Sequence, residues 1–279
     1  MDTHARIALL IDADNARARR IDVILGELSS FGETSIRRAY GNWTKSGLKA
    51  WQDVLHENAI RPVQQFDPAK GKNASDMALA VDAVEILHTQ RPDAFAIVSS
   101  DADFTPLVMH LREHGVAVYG FGDAKTPAPF QSACTRFLVL DRLTAPSGQA
   151  DAGATADDDQ PTTKSTEPTK KTAKRATKKT TSAAASKGND SPAAERATRA
   201  QLRQDTKLVA LLRRAVDSAS DDSGWARIGT VGQRISNQSS FDSRNYGYAK
   251  LSKLIEATDL FEIRDAGTPN MAVRDPRAS

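Results

Sequence analysis

Ile7-Ala8-Leu9-Leu10-Ile11 is an unbroken apolar run closed by Asp12. A run of that length, with no polar alternation, reads as a strand covered on both faces. From Arg19 to Leu28 the period changes: Ile21, Ile24, Leu25 and Leu28 fall at helical spacing. The two patterns then alternate. Ile36–Tyr40 reads as a second strand, and Leu48, Trp51, Leu55 and Ala59 mark a second helix. Pro62–Phe66 is a short strand; Met77, Ala80, Val81, Val84, Leu87 and His88 mark a third helix. Phe95–Val98 is a strand, Pro106–His114 a helix stopped by Gly115, and Val116–Phe121 and Phe137–Leu140 are further strands. Repeated strand–helix units predict an α/β domain with a mainly parallel sheet and helices on both faces.

The C-terminal part follows another pattern. Leu208, Leu211, Leu212 and Ala215 form one amphipathic stripe, Ile228, Val231 and Ile235 a second, and Tyr248, Leu251, Leu254 and Ile255 a third. Two strand-like pieces, Leu260–Ile263 and Met271–Val273, follow around Gly267-Thr268-Pro269-Asn270. Three helices and a hairpin outline a winged helix-turn-helix.

Between these parts, Pro146–Ala197 contains no Leu, Ile, Val, Phe, Tyr or Trp. Such a segment lacks the apolar area to offset chain entropy, which predicts a disordered linker. Three regions follow: 1–145, 146–199 and 200–279. Charge divides among them. Residues 1–143 hold 16 Lys/Arg against 18 Asp/Glu, residues 144–199 hold 10 against 7, and residues 200–279 hold 12 against 10. The linker's lysines read as a solvated tether and also as a mobile polycation that grips phosphates without sequence preference. The single cysteine, Cys134, excludes a disulfide framework and any multi-cysteine zinc site. No basic region followed by a long apolar run opens the chain, and no stretch of eighteen apolar residues occurs. A cytoplasmic protein without membrane contact is expected.

Two strands end in acids: Asp12-Ala13-Asp14-Asn15 and Ser99-Ser100-Asp101-Ala102-Asp103. In parallel sheets ligands sit beyond the carboxyl ends of the strands, where strand order reverses. If the first and fourth strands are neighbours, the two clusters face each other. Crowded carboxylates raise one another's proton affinity, and a cation between them relieves it. Oxygen ligands without His or Cys suit Mg²⁺ or Mn²⁺, and the chemistry implied is hydrolysis of a phosphate ester. Capping explains any one of these acids equally well: Asp14 or Asn15 at the first helix, Asp103 at the helix beginning near Phe104. Asp76, in the first turn of the third helix, stands at the edge of its apolar face and near the sheet's rim. Asp82, about 240° further round, is expected in solvent.

Other chemistries fit less well. Lys70-Gly71-Lys72-Asn73 lacks the Gly and Ser/Thr of a phosphate loop, and no G-x-G-x-x-G follows the first strand. Asp12-Ala13-Asp14 lacks the further residues of a haloacid-dehalogenase-like phosphatase. His110 and His114 lie one turn apart without a third ligand nearby in sequence, and read as surface or packing residues. Cys134 reads as core.

Ile7–Asn15, Lys72–Leu87 and Ile97–Gly122 together resemble the NYN domain, the LabA-like branch of the PIN-like nucleases, over residues 5–143. The resemblance implies a PIN-like Rossmannoid fold and a ribonuclease site using Mg²⁺ or Mn²⁺. By motif match the acidic ligands fall on Asp12, Asp76, Asp101 and Asp103, with Asn15 orienting Asp12 or a water. Products with 5′-phosphate and 3′-hydroxyl ends are implied. Trp225–Ile235 and Phe241–Ile255 resemble the OST-HTH (LOTUS) domain over residues 203–275, which implies RNA binding and, in some members, protein partners. Arg244, Tyr246, Lys250 and Lys253 read as an RNA-binding set with one stacking ring; they read equally as core tyrosines with solvated cations. Arg17, Arg19, Arg20, Lys70 and Lys72 lie near the rim of the acidic site and are candidates to neutralise RNA phosphates. The function expected is a metal-dependent endoribonuclease; the alternatives are a non-catalytic RNA-binding or adaptor protein and a small-phosphoester phosphatase.

Overall fold

The computed structural model describes residues 4–66, 74–143 and 196–277. Lys70, Lys72 and all but the last residues of the expected linker lie outside them. The N-terminal part runs β1 (Arg6–Asp12), α1 (Ile21–Leu28), β2 (Glu33–Gly41), α2 (Trp51–Glu57), β3 (Arg61–Gln64), α3 (Ala74–Thr89), β4 (Ala94–Val98), α4 (Thr105–Glu113), β5 (Ala117–Gly122), α5 (Ala128–Ala133) and β6 (Arg136–Val139). The strands form one parallel sheet in the order β3-β2-β1-β4-β5-β6. The order reverses between β1 and β4, where Ile11 pairs with Val98. The expected neighbourhood of the first and fourth strands is therefore present, and Asp12 and Ser99 leave the sheet side by side.

The alternation of β1 explains the layers. Ile7, Leu9 and Ile11 point to one face and pack with Ile24 and Leu28 of α1 and Trp51 of α2. Ala8 and Leu10 point to the other, with Leu79 and Ala83 of α3, Val108 of α4 and Phe130 of α5. Both faces are covered, so β1 carries no polar residue between Arg6 and Asp12.

Helix α3 is rolled relative to the sequence expectation. Ser75, Leu79, Ala83, Ile86 and Leu87 are buried, whereas Met77 and Val81 are 66% and 63% exposed. Nearly every side of this helix is apolar, so its periodicity does not single out one face; close approach to the sheet favours Ala83. The roll also turns Asp82 inward. Its carboxylate accepts hydrogen bonds from Arg38 and from the Tyr40 hydroxyl on β2, and pairs with Arg38. The Tyr40 ring is fully buried, and burial with the Asp82 charge holds its phenol protonated. Asp82→Leu should therefore cost about 2 kcal/mol of stability in urea unfolding, because it strands a buried hydroxyl and a half-buried guanidinium.

Two helices escaped the sequence pattern. Helix α5 buries one side chain, Phe130, which leaves no period to read. The second is α6 (Arg199–Gln204), which buries only Leu202 and is fixed by a reciprocal cap between Thr198 and Gln201. It is followed by α7 (Thr206–Ala219), β7 (Ala226–Arg227), α8 (Ile228–Gln238), α9 (Leu251–Thr258), β8 (Glu262–Arg264) and β9 (Ala272–Arg274). The three strands form an antiparallel sheet in the order β7-β9-β8. Leu208, Leu212, Val231, Ile235, Leu254 and Ile255 meet in one core.

The C-terminal part covers the outer edge of β6. Phe137 N donates to Ser240 O at 3.1 Å, and Asn245 brackets the strand through Val139 N and Phe137 O, both at 2.9 Å. An edge strand is thereby paired rather than left open. Among the described residues no helix is long and apolar enough to cross a membrane.

Candidate active site

The turn after β1 is built by its own carboxylate. Asp12 is 1% exposed. Its Oδ2 accepts from Asn15 Nδ2 at 2.7 Å and from Ser99 Oγ at 2.8 Å. Its Oδ1 is buried and meets no hydrogen-bond partner. Burial pushes the Asp12 carboxyl up, and its hydrogen bonds to Asn15 and Ser99 pull it back. A buried carboxylate oxygen without a partner is costly, and a cation is the natural group to meet it.

Neither Asp14 nor Asn15 caps a helix. Asn15 is spent on Asp12, and Asp14 accepts from Ser75 Oγ at 3.1 Å and from Lys45 Nζ at 3.2 Å. Asp14 thus ties the β1 turn to the first turn of α3, which sets Asp76 beside it. At the end of β4, Asp101 N donates to Ser99 Oγ at 3.1 Å, and the Asp101 side chain accepts from Asp103 N at 2.9 Å. The capping role expected of Asp103 belongs to Asp101.

Asp76 reports the whole cluster. Its carboxyl is pushed up to about 6, first by burial and then by the charges of Asp12, Asp101, Asp14 and Asp103. The other three acids of the sequence expectation, and Asp14 with them, thus lie close enough for their charges to act on Asp76. Asp14 was read in the sequence as a member of the first cluster and as a capping candidate; its place next to Asp76 depends on how α3 returns to the β1 turn. Among the described residues no three of these carboxylates each bring an oxygen within 4.8 Å of the others.

The crevice continues between β1, β4 and β5, lined by Asn15, Arg17, Ser100, Gly122 and Asp123. Arg17 lies on its rim and leans to Asp141 at 3.4 Å, with Arg20 on the same carboxylate at 3.6 Å. Asp123 N donates to Ser100 Oγ at 3.0 Å, which fastens β5 to the β4 end. A side chain at Gly122 would place its Cβ 2.5 Å from Thr126 Oγ1, 2.9 Å from the Ser99 carbonyl oxygen and 3.0 Å from the Phe137 ring. Gly122→Ala should thus crowd Thr126, Ser99 and Phe137 together and lower the melting temperature, which thermal unfolding checks.

The C-terminal residues expected to meet RNA are not gathered on one open face. Arg244 pairs with Glu27 and, at 2.9 Å, with Asp242. The Tyr246 hydroxyl donates to Asp205 at 3.0 Å, and its ring packs on Phe241. Tyr248 donates to Ala197 O at 2.8 Å. The tyrosines follow the packing reading, whereas Lys250, ahead of α9, is exposed. A basic feature that the sequence did not single out is the wing: the Arg264 and Arg274 guanidinium groups lie over the Trp225 ring at 4.8 and 5.0 Å.

Comparison with known proteins adds the following. The NYN domain profile matches residues 6–141, and the OST-HTH/LOTUS domain profile matches residues 203–273. An uncharacterized protein of Methanocaldococcus jannaschii is 36% identical over 121 residues, 42% of this chain and 47% of that protein. The match thus spans about half the length of that relative. Among solved structures, a protein of unknown function from Vibrio parahaemolyticus aligns over 50% of this chain and 96% of its own, at 18% identity and a TM-score of 0.44. An uncharacterized protein from Nitrosomonas europaea aligns over 34% and 88%, at 31% identity and a TM-score of 0.23.

Proposed function

We propose, for a chain that joins an NYN domain to an OST-HTH/LOTUS domain, that it is a metal-dependent endoribonuclease. NYN domains are generally nucleases, and OST-HTH/LOTUS domains bind RNA. The observation that carries the reading is the partnerless buried Oδ1 of Asp12 at the β1–β4 switch point, together with Asp76, on which the charges of Asp12, Asp101, Asp14 and Asp103 all act.

The residues fit a hard cation. Asp12 and Asp101 would hold Mg²⁺ or Mn²⁺, with Asp76 and Asp103 completing the site or orienting water. Bound there, the ion supplies an activated water and steadies the leaving oxygen of a phosphodiester. Asn15 and Ser99 fix Oδ2 of Asp12, so the carboxylate presents Oδ1 in one orientation. Asp76, crowded by burial and by the charges of Asp12, Asp101, Asp14 and Asp103, is placed to accept a hydrogen bond from the attacking water. Arg17 stands at the rim, where a backbone phosphate of the RNA would pass.

An acidic catalytic domain approaching a polyanion gains from a basic tether. The linker lysines, Lys70, Lys72 and the C-terminal Lys250 are the cations this reading assigns to RNA, by raising its local concentration at the acidic site. The test is digestion of end-labelled RNA by the full chain. Fragments bearing 5′-phosphate and 3′-hydroxyl ends, formed with Mg²⁺ or Mn²⁺ and abolished by EDTA, are expected. Cleavage that persists in EDTA, or products with cyclic phosphate ends, would point to a metal-free mechanism instead.

A further inference from the structure

At the other end of the α3–α4 pair from the acids, three histidines converge. His88 lies in the last turn of α3, His110 on α4, and His114 just past its end. Each offers one ring nitrogen, and the three lie within 4.8 Å of one another. The third partner that sequence spacing denies to His110 and His114 is supplied by α3, because both helices end at the same edge of the sheet.

We propose that His88, His110 and His114 form a binding site for a borderline transition-metal ion, Zn²⁺ first, separate from the acidic cluster. Two independent observations point to a ligand. Nε2 of His110 is buried and meets no hydrogen-bond partner. Nδ1 of His114 lies 2.8 Å from the His110 carbonyl oxygen, which only accepts, so Nδ1 carries the proton and Nε2 presents its lone pair. Metal-bound histidines commonly hold their second ring nitrogen in this way, donated to a backbone carbonyl.

The remaining features agree. Three imidazoles without a carboxylate select Zn²⁺ and its neighbours over Mg²⁺. The rings of His110 and His114 stand 4.3 Å apart, and those of His88 and His114 5.6 Å apart, edge to face. A tetrahedral ion needs nitrogens about 3.3 Å apart, given metal–nitrogen bonds of about 2.0–2.1 Å. Rotation of the exposed His88 and His114 side chains supplies the small closure. Their exposure also leaves the fourth position to water. Both helices present their carboxyl ends here, where the backbone favours positive charge. Arg112, the cation nearest in sequence, is directed away and donates to Ala133 O at 2.9 Å. From Asp76 to His88 is twelve residues of helix, about 18 Å, so the two sites do not share ligands. Binding would clamp α3 to α4, the helices that carry Asp76 in the first turn and begin beside Asp103.

The test is titration of the tag-free full chain with Zn²⁺ in excess Mg²⁺, followed by calorimetry, with Co²⁺ absorption as a second readout of nitrogen ligation. One saturable equivalent is expected. His114→Ala and His88→Ala, both at exposed positions, should each weaken it about tenfold or more and remove the rise in melting temperature that Zn²⁺ gives the wild type. Asp12→Asn should leave zinc binding unchanged, which separates this site from the nuclease reading. Absence of saturable binding, or binding that survives both histidine variants, would overturn the proposal. So would zinc binding lost only in Asp12→Asn.

Discussion

Asp12→Asn should leave RNA bound and uncut. The substitution keeps the size of the side chain and an acceptor for Asn15 and Ser99, so the β1 turn survives. It removes the charge from Oδ1, which is buried and has no hydrogen-bond partner. If metal stabilisation of the transition state is worth about 4 kcal/mol, turnover falls on the order of 10³-fold. RNA affinity should change less than about twofold, because the linker, Lys250 and the C-terminal domain are assigned the binding. Single-turnover cleavage and fluorescence anisotropy on the same preparation separate the two quantities. Loss of binding in step with cleavage would place RNA recognition on the acidic cluster itself.

Asp76→Asn should inactivate the protein and, without metal, stabilise it. The sign follows from the direction of the shift. The Asp76 carboxyl stands at about 6 in the folded chain against an ordinary 3.8. Between those values the folded state keeps a proton that the unfolded chain has lost. Stability therefore falls as pH rises through this window and stays low above about 6. An amide removes that penalty. After allowance for solvent screening of a half-exposed group, a gain of about 1 kcal/mol at pH 8 is expected, or about 3 °C. Burial pushes Asp12 in the same direction. Adding Mg²⁺ should raise the melting temperature of the wild type and close the gap to the variant. A variant that melts lower than wild type in EDTA would show that Asp76 serves the fold rather than a charge-strained site.

Much of the N-terminal fold is legible in the chain because β1 and β4 are buried on both faces. Ile7–Ile11 and Phe95–Val98 leave no alternative to strands, and the acids that follow them stand out against that background. Asp12 and Asp101 could be placed without coordinates, since the carboxyl ends of parallel strands share one edge. The rotation of α3 could not. Its sequence is apolar on too many sides, and only contact with Arg38 and Tyr40 on β2 decides that Asp82 turns in while Met77 and Val81 turn out. The partners of Asp14 and His88 were hidden for a related reason. Each residue acquires its partners from a segment distant in sequence: Ser75 across 61 residues for Asp14, and the end of α4 for His88. Whether Arg244 and Tyr246 met RNA or packed stayed open in the chain because their partners Glu27 and Asp205 are equally remote.

The central claim is that the acids at the ends of β1 and β4 cut RNA with the help of a divalent metal. Cleavage of labelled mixed-sequence RNA by the full chain, with Mg²⁺ and with Mn²⁺, wild type beside Asp101→Asn, tests it most directly. Metal-dependent fragments from the wild type and none from the folded variant are the predicted result. Intact RNA from well-folded wild type under both metals would contradict it and leave a protein that binds RNA without cutting it; equal cleavage by wild type and variant would move the chemistry away from these carboxylates.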